Sequence, residues 1–223
     1  MPTRPTTQPI HHLSVLALLR ACVPPRDDIT FTEALRIAEQ QATKLLEIQG
    51  ITDGPVPDSV ITGIPHIRII NTARLGSSTV ADGASMWDAK ARRWVILLNR
   101  ASTQQRQRST LAHEFKHILD HPIDNLYKAT HRLRSSRQAE HAATYFAGCL
   151  LIPRELLHRA WHNGIRSPAA LAKLFQASEH AITVRLRQTG LIEDQLRDNR
   201  GLYLSAPISQ SPSSSQSRRR YAA

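Results

Sequence analysis

The strongest chemical pattern in the sequence is His113-Glu114-x-x-His117. On a helix, residues four apart lie on one face, one turn apart, so both imidazoles can bind one zinc ion. Glu114 then stands beside the first ligand, where its carboxylate can accept a proton from water. The pattern predicts a zinc site that activates water, with Glu114 as general base.

A catalytic zinc site needs a third protein ligand. His121 continues the four-residue series, but each step drifts about 40° around the helix, so we expect its ring to point away from the metal. Ile123 stands where a metzincin would carry its third histidine, which excludes that class. The best candidate is Glu140, at the start of a second predicted helix whose small residues allow close packing. His141 is an alternative ligand.

These two helices resemble those of the ImmA/IrrE metallo-endopeptidases. The resemblance spans roughly residues 30 to 192 and is most specific over 94–153. It implies a gluzincin-like fold, Zn²⁺ on His113, His117 and Glu140, and Glu114 as general base. The motifs that carry it are His113-Glu114-Phe115-Lys116-His117, Glu140-x-x-Ala143-x-x-Phe146-Ala147-x-x-Leu150-Leu151-x-Pro153, Trp94–Asn99 and Arg108–Ala112.

Two positions depart from the family pattern. Lys116 stands where the family commonly has glycine, and a side chain there should be tolerable if it points to solvent. Thr144 stands where the family commonly has asparagine or aspartate. If that position orients a ligand histidine, threonine can still form a hydrogen bond but brings no charge.

The flanking sequence predicts the elements that hold these helices. Ser109 or Thr110 is expected to cap the metal helix, which ends near Asp120 because Pro122 follows. A capping box at Thr30 starts a helix to about Gln49. Strands are predicted at 67–70 and, as a hairpin, within 85–98. The resemblance implies that an edge strand beside the metal helix pairs with an extended substrate.

Two tryptophans of the hairpin, Trp87 and Trp94, can belong to the core or line a substrate cleft, and we expect the core. An oxyanion donor besides zinc is also needed. The sequence does not choose among Tyr127, His131, Tyr145 and Tyr203.

Residues 167–190 predict a helix–turn–helix outline. Ser167 and Pro168 begin one helix, Ser178 caps the next, and Gln176 occupies a turn position where glycine is frequent. A DNA-binding form would expose polar residues of the second helix. Such units also serve as packing units or bind protein. The polar residues concerned are His180, Thr183, Arg187 and Gln188.

Together these features predict an α+β chain, with a zincin-like (gluzincin) peptidase domain containing a small antiparallel sheet, followed by a helix–turn–helix-like helical segment. We divide it into a partly disordered N-terminal extension at 1–29, a zinc metallopeptidase domain at 30–163, the helical segment at 164–205 and a disordered basic tail at 206–223.

The formal net charge of +11 allows two interpretations. One is a solvated basic surface; the other is a nucleic-acid or acidic protein partner, bound through that surface or residues 167–190. The basic stretch Lys128–Arg137 could likewise steer an acidic substrate or be a solvated loop. Cys22 and Cys149 form no disulfide framework, and no segment is apolar enough to cross a membrane, so we expect a cytoplasmic protein.

The sequence thus predicts a zinc-dependent endopeptidase. The resemblance implies that its substrate is a regulatory protein, typically a transcriptional repressor. The alternative is a DNA- or protein-binding transcriptional regulator with a structural or vestigial zinc site. The intact Glu114 counts against this alternative, because a structural site has no need of a general base.

Overall fold

Three strands form one mixed sheet in the computed structural model, which describes residues 14–25, 29–73, 82–121 and 132–192, with backbone only for 132–136. β1 (Ile67–Thr72), β2 (Gly83–Asp88) and β3 (Arg93–Asn99) lie in the order β1-β3-β2. β2 pairs with β3 antiparallel, as the predicted hairpin requires. β1 pairs with β3 in parallel, so the prediction of an antiparallel sheet is wrong for this strand.

The two pairings have different physical origins. The β2–β3 connection is a short turn in which Asp88 Oδ1 accepts the Ala91 N–H at 3.0 Å, and a tight turn forces its strands to run antiparallel. No such turn joins β1 to β3. Their direction is set by long-range pairing, which continues where the Arg100 N–H donates to the Thr72 carbonyl at 3.0 Å. Local sequence therefore specified the direction of the hairpin strands but not the direction of β1.

The described residues contain eight helices, and α4, which carries His113 and His117, contacts both the sheet and the long helix α5. α5 packs along both α2 and α4, and β2 and β3 pack on α4. The buried side chains of these elements form one apolar core, including Phe115 and Phe146. The helices are α1 (Val15–Arg20), α2 (Phe31–Ile48), α3 (Ser59–Thr62), α4 (Gln104–Asp120), α5 (Arg132–Leu151), α6 (Arg154–His162), α7 (Pro168–Phe175) and α8 (Glu179–Gln188).

The metal helix α4 begins earlier than predicted. Its N-cap is Thr103, whose hydroxyl accepts the Arg106 N–H, so the predicted cap at Ser109 or Thr110 is wrong. The first turns consist of Gln and Arg residues, which favour a helix but show no apolar period. A search for hydrophobic periodicity therefore misses them. The predicted end at Asp120 is confirmed.

Two helices from the N-terminal part of the chain support this framework: α1 packs against α4, and α2 packs against α5. The predicted capping box of α2 is present, because Thr30 and Glu33 bond each other's backbone N–H groups. Arg20, at the end of α1, donates to the Ile118 and Leu119 carbonyls at 3.0 and 3.2 Å. The last turn of a helix leaves such carbonyls without intrahelical partners, so Arg20 caps α4.

α7 and α8 pack into the same core as the metal helix. Ser178 caps α8 as predicted, whereas Ser167 stands at the start of α7 without a side-chain cap bond. Gln176, between the helices, is left-handed with φ 52°. Arg108 of α4, only 3% exposed, donates to the carbonyls of Phe175 and Gln176. This contact fixes the turn despite its missing glycine.

Within the described parts, no helix has the length and apolar character needed to cross a membrane. The described residues all belong to one compact unit, Met1–Glu193. The predictions for Tyr127, Lys128, His131, Tyr203 and the tail 206–223 concern residues outside the described ranges.

Candidate metal centre

His113 and His117 lie one turn apart on the half-buried face of α4. Their ring centroids are 4.8 Å apart and their Nε2 atoms are 3.1 Å apart. The opposite face of the helix is anchored by Phe115, Ile118 and Leu119, each fully buried in the core. The amphipathic pattern therefore turns both imidazoles away from the core and toward α5, as the sequence predicts.

Glu140 of α5 completes a cluster with the two histidines. One carboxylate oxygen lies 3.1 Å from His113 Nε2 and the other lies 3.4 Å from His117 Nε2. Small, fully buried residues follow Glu140, namely Ala142 and Ala143, and they allow α5 to approach α4 closely. Among the described residues, these three side chains form the group able to hold a metal ion.

The spacing of the three donors suits a zinc ion. Two ligand atoms held ~2.0–2.1 Å from zinc at tetrahedral angles would lie ~3.3 Å apart. The distances among the nearest donor atoms of His113, His117 and Glu140 are 3.1, 3.1 and 3.4 Å. Two imidazoles and one carboxylate are also the donor set of one class of catalytic zinc sites. The residues present therefore fit the metal.

Electrostatics keep the cluster ready to bind a cation. Hydrogen bonds from His113, and next from His117, hold the pKa of the Glu140 carboxyl well below its usual range. Burial acts to lower the pKa of His117, but the hydrogen bond and charge of Glu140 outweigh it and leave that pKa raised. A metal cation would replace protons as the positive partner of the carboxylate.

Glu114 lies on the side of α4 that faces β2. Ser85 Oγ donates to Glu114 Oε2 at 2.9 Å. Gly83, two residues earlier on the same face, lies so close that an added Cβ would be 3.3 Å from Glu114 Cγ. Sequence reasoning missed Ser85 and Gly83. The usable signal was that Gly83 precedes Ser85, the first residue of the predicted hairpin, by two positions, a spacing that puts both residues on one face of a strand.

Other histidines near the cluster are engaged elsewhere. The His121 ring packs edge-on to Trp94 with centroids 4.9 Å apart, so the expectation that it points away is met. The His141 ring packs against Phe31 at 5.7 Å, which removes the alternative ligand. Thr144 Oγ1 lies 3.4 Å from His113 Nδ1, the ring nitrogen opposite the cluster. Its hydroxyl can therefore orient this imidazole, although the contact is long.

Lys116 does not point to solvent, so the condition under which the sequence predicts that this side chain is tolerated does not hold. Its side chain is fully buried and forms an ion pair with Asp120, one turn later on α4. Burial lowers the pKa of the Lys116 ammonium, and Asp120 offsets part of this effect. Burying an ammonium is costly unless it is paired, which explains why the lysine occurs together with Asp120. The i, i+4 spacing of opposite charges was the signal available in the sequence.

One oxyanion candidate lies in the described part of the chain, and it is occupied elsewhere. Tyr145 donates its hydroxyl to Glu39 of α2 at 2.9 Å. Burial, more than any other effect, raises the pKa of Tyr145 to about 12. The Tyr145 ring also lies under the Arg185 guanidinium, 5.5 Å from its centroid. Tyr145 therefore belongs to a structural network rather than to the metal cluster.

The two tryptophans of the hairpin differ in burial. Trp94 is half-buried and packs against the core. Trp87 is 48% exposed, so placing it in the core is wrong. The two residues are opposite each other in register, and their rings meet edge-on with centroids 5.4 Å apart. Trp87 therefore rests on Trp94 and leaves part of its ring open.

Comparison with known proteins adds a family and a fold. The family model Peptidase_M78, described as the IrrE N-terminal-like domain, matches residues 72–187, slightly more than half of the chain. No curated protein matches. A solved structure, a Mycobacterium tuberculosis transcriptional regulator, is 15% identical with a TM-score of 0.50 and covers 76% of this chain. The chain spans half the length of that protein, and at this identity the likeness concerns the fold alone.

Proposed function

Because the chain belongs to the peptidase family of the IrrE N-terminal-like domain, we propose that it is a zinc-dependent endopeptidase with a zincin-like (gluzincin) fold. The observation that carries the proposal is the convergence of His113, His117 and Glu140, with Glu114 beside them. A purely structural site would need the three ligands but not the adjacent carboxylate.

Each residue of the cluster has a distinct role in the proposed reaction. His113, His117 and Glu140 would hold Zn²⁺, which supplies a Lewis acid and lowers the pKa of bound water toward ~7. Glu114 accepts one proton as the water oxygen bonds to the peptide carbonyl carbon. It then delivers that proton to the departing amine nitrogen as the carbon–nitrogen bond breaks. Ser85, by donating to Glu114 Oε2, holds the carboxylate in place.

The substrate is proposed to bind as an added strand along β2. This strand pairs with β3 on one side, and no described strand pairs with its other side. It also runs beside α4, with Ser85 at Glu114. An extended peptide on the free edge gains main-chain hydrogen bonds and brings its carbonyl groups past the metal centre.

The substrate class is proposed to be a regulatory protein in the cytoplasm, such as a transcriptional repressor whose cleavage relieves repression. The support is the sequence resemblance described above, together with the formal net charge of +11, which suits an acidic partner. Within this proposal, residues 30–163 are the peptidase domain and residues 164–205 the helix–turn–helix-like segment, whose described helices α7 and α8 pack into the same core as α4.

Cleavage by matched variants tests this function. The zinc-loaded protein is incubated with a peptide library and with repressors from the same organism. We expect Glu114→Gln to lower cleavage by ~10²-fold or more, because it removes the base but keeps the ligands. Glu155→Gln, an exposed glutamate on α6, is the control and should cleave at the wild-type rate. If Glu114→Gln also cleaves at that rate, the proposed mechanism is wrong.

A second candidate function is a DNA-binding regulator whose zinc site is structural or vestigial. It is favoured by α8, where His180, Arg187 and Gln188 are exposed as a recognition helix would require, while Thr183 is half-buried. The test is a gel shift with promoter DNA at two salt concentrations. DNA binding would be supported over the peptidase if Arg187→Ala abolishes the gel shift while an exposed control, Arg36→Ala or Arg159→Ala, retains it.

A further inference from the structure

An exposed tryptophan on β2, the strand that contacts Glu114, suggests which substrates the site accepts. We propose that Trp87 forms the floor of a substrate side-chain pocket. The enzyme then prefers peptides with a large apolar side chain, aromatic above all, within about two residues of the cleaved bond. This inference rests on the proposed peptidase function and adds its specificity.

The strand geometry puts Trp87 on the catalytic face. Gly83, Ser85 and Trp87 alternate along β2, so their side chains share one side of the sheet. Ser85 bonds Glu114 on this side, and Trp94, opposite Trp87, contacts His121 at the end of α4. Trp87 thus lies only about 7 Å along the strand from the residue that holds the general base.

The ring is open on one side and supported on the other. Trp87 is 48% exposed, although a tryptophan gains stability from burial. Its other side meets Trp94 edge-on, and Trp94 is itself held between the core and His121. This support restricts the orientations of the Trp87 ring. A restrained and exposed aromatic surface can bind an apolar group with a small loss of conformational entropy.

A peptide added to β2 would bring a side chain onto this ring. Directly opposite residues on paired strands have Cβ atoms about 5 Å apart and interact when both are aromatic. The peptide residue opposite Trp87 and the residue opposite Ser85 are two apart, since alternate residues share a face. The apolar side chain therefore sits close to the bond that reaches Glu114.

The neighbouring residue provides a matched control. Met86 is 51% exposed, but it points to the other side of the sheet because side chains alternate along a strand. Trp87→Ala and Met86→Ala each remove a large exposed apolar side chain from the same strand. Trp87→Phe keeps an aromatic ring in the pocket.

Binding and cleavage are measured separately. Labelled peptides of Gly and Ser carrying one Phe or one Ala are titrated into the Glu114→Gln variant and followed by fluorescence anisotropy. We expect the Phe peptide to bind about tenfold more tightly, Trp87→Ala to abolish the difference, and Met86→Ala and Trp87→Phe to keep most of it. Equal binding of both peptides, or equal loss in Met86→Ala, would overturn the proposal.

Cleavage of a peptide library by the zinc-loaded protein gives the second result. Mass spectrometry of the products should show large apolar residues enriched near the cut in the wild type and in Met86→Ala, but not in Trp87→Ala. Cleavage without enrichment of large apolar residues would refute the Trp87 pocket but would not contradict the proposed peptidase activity. Absence of any cleavage would refute the peptidase, and the binding experiment would still decide whether Trp87 holds an apolar side chain.

Discussion

Replacing Gly83 by alanine should disturb the contact between β2 and the metal helix. The added Cβ would lie 2.3 Å from Thr110 Cγ2, whereas ordinary contacts are 3.4–4 Å, so these two atoms must move apart by about 1 Å. The Leu97 carbonyl oxygen of the paired strand, at 3.0 Å, limits movement to the other side. Overpacking of this kind typically costs ~1–3 kcal/mol.

The direction of the change in stability distinguishes overpacking from a backbone effect. Gly83 does not have a left-handed backbone, so alanine is conformationally allowed. Without the contact, the substitution would stabilise the protein by ~0.4–1 kcal/mol, because alanine restricts the unfolded chain. Displacing β2 also moves Ser85 away from Glu114, which should lower peptide cleavage.

Urea unfolding and peptide cleavage measure these effects in three variants: Gly83→Ala, the double variant Gly83→Ala/Thr110→Ser, and Gly148→Ala. Gly83→Ala should be destabilised, and adding Thr110→Ser, which deletes Cγ2, should restore part of the loss. Gly148→Ala is the control: it lies in α5, an added Cβ would meet nothing within 4 Å, and it should stabilise the helix by ~1 kcal/mol. If Gly83→Ala is as stable as Gly148→Ala, or Thr110→Ser restores nothing, the packing argument fails.

Three further predictions concern other contacts. Arg108→Lys should destabilise the protein by ~3 kcal/mol, because lysine cannot reproduce the bonds of the buried guanidinium to Asp58 and to the α7–α8 turn. A urea midpoint within error of the wild-type value would contradict this. Burial acts to raise the pKa of the Glu39 carboxyl, but the hydrogen bonds and charges of Arg154 and Arg185 outweigh it, so the pKa is lowered. Wild type should therefore be more stable than Glu39→Gln at neutral pH. The difference should begin to shrink as the pH falls through the ordinary glutamate pKa of ~4.3 and disappear only below the lowered pKa of Glu39, which thermal melts across pH can check. Thr144→Ala should weaken zinc affinity ~10-fold, measured by chelator competition, and unchanged affinity would remove its role toward His113.

The metal cluster was predictable because its signals are local. The spacing of His113 and His117 follows from helix geometry, and the apolar pattern of each helix fixed which face turns outward. Placing Glu140 against them required two helices to pack closely, and the small residues after it indicated this. Ser178, Thr30 and the β2–β3 turn were predictable for the same reason.

The failures concern long-range contacts. The direction of β1 is set by its pairing with β3. Because β2 lies between these two strands in the sequence, no turn joins them and fixes that direction. The sequence did not establish where Lys116 points. The folded chain buries it beside Asp120, which offsets the cost of burying its charge. Arg108 donates a hydrogen bond to the carbonyl of Gln176, a turn residue that is 68 residues away in sequence. Such partners become visible only when the chain is folded.

Metal content tests the central claim most directly. The protein is purified, supplied with zinc, freed of unbound ions and measured by mass spectrometry, beside Glu140→Ala and the exposed control Glu155→Ala. About one zinc per chain is predicted for the wild type and the control, because three ligands define one site. Little zinc is predicted for Glu140→Ala. No zinc in the wild type, or a full complement in Glu140→Ala, would contradict the assigned metal centre.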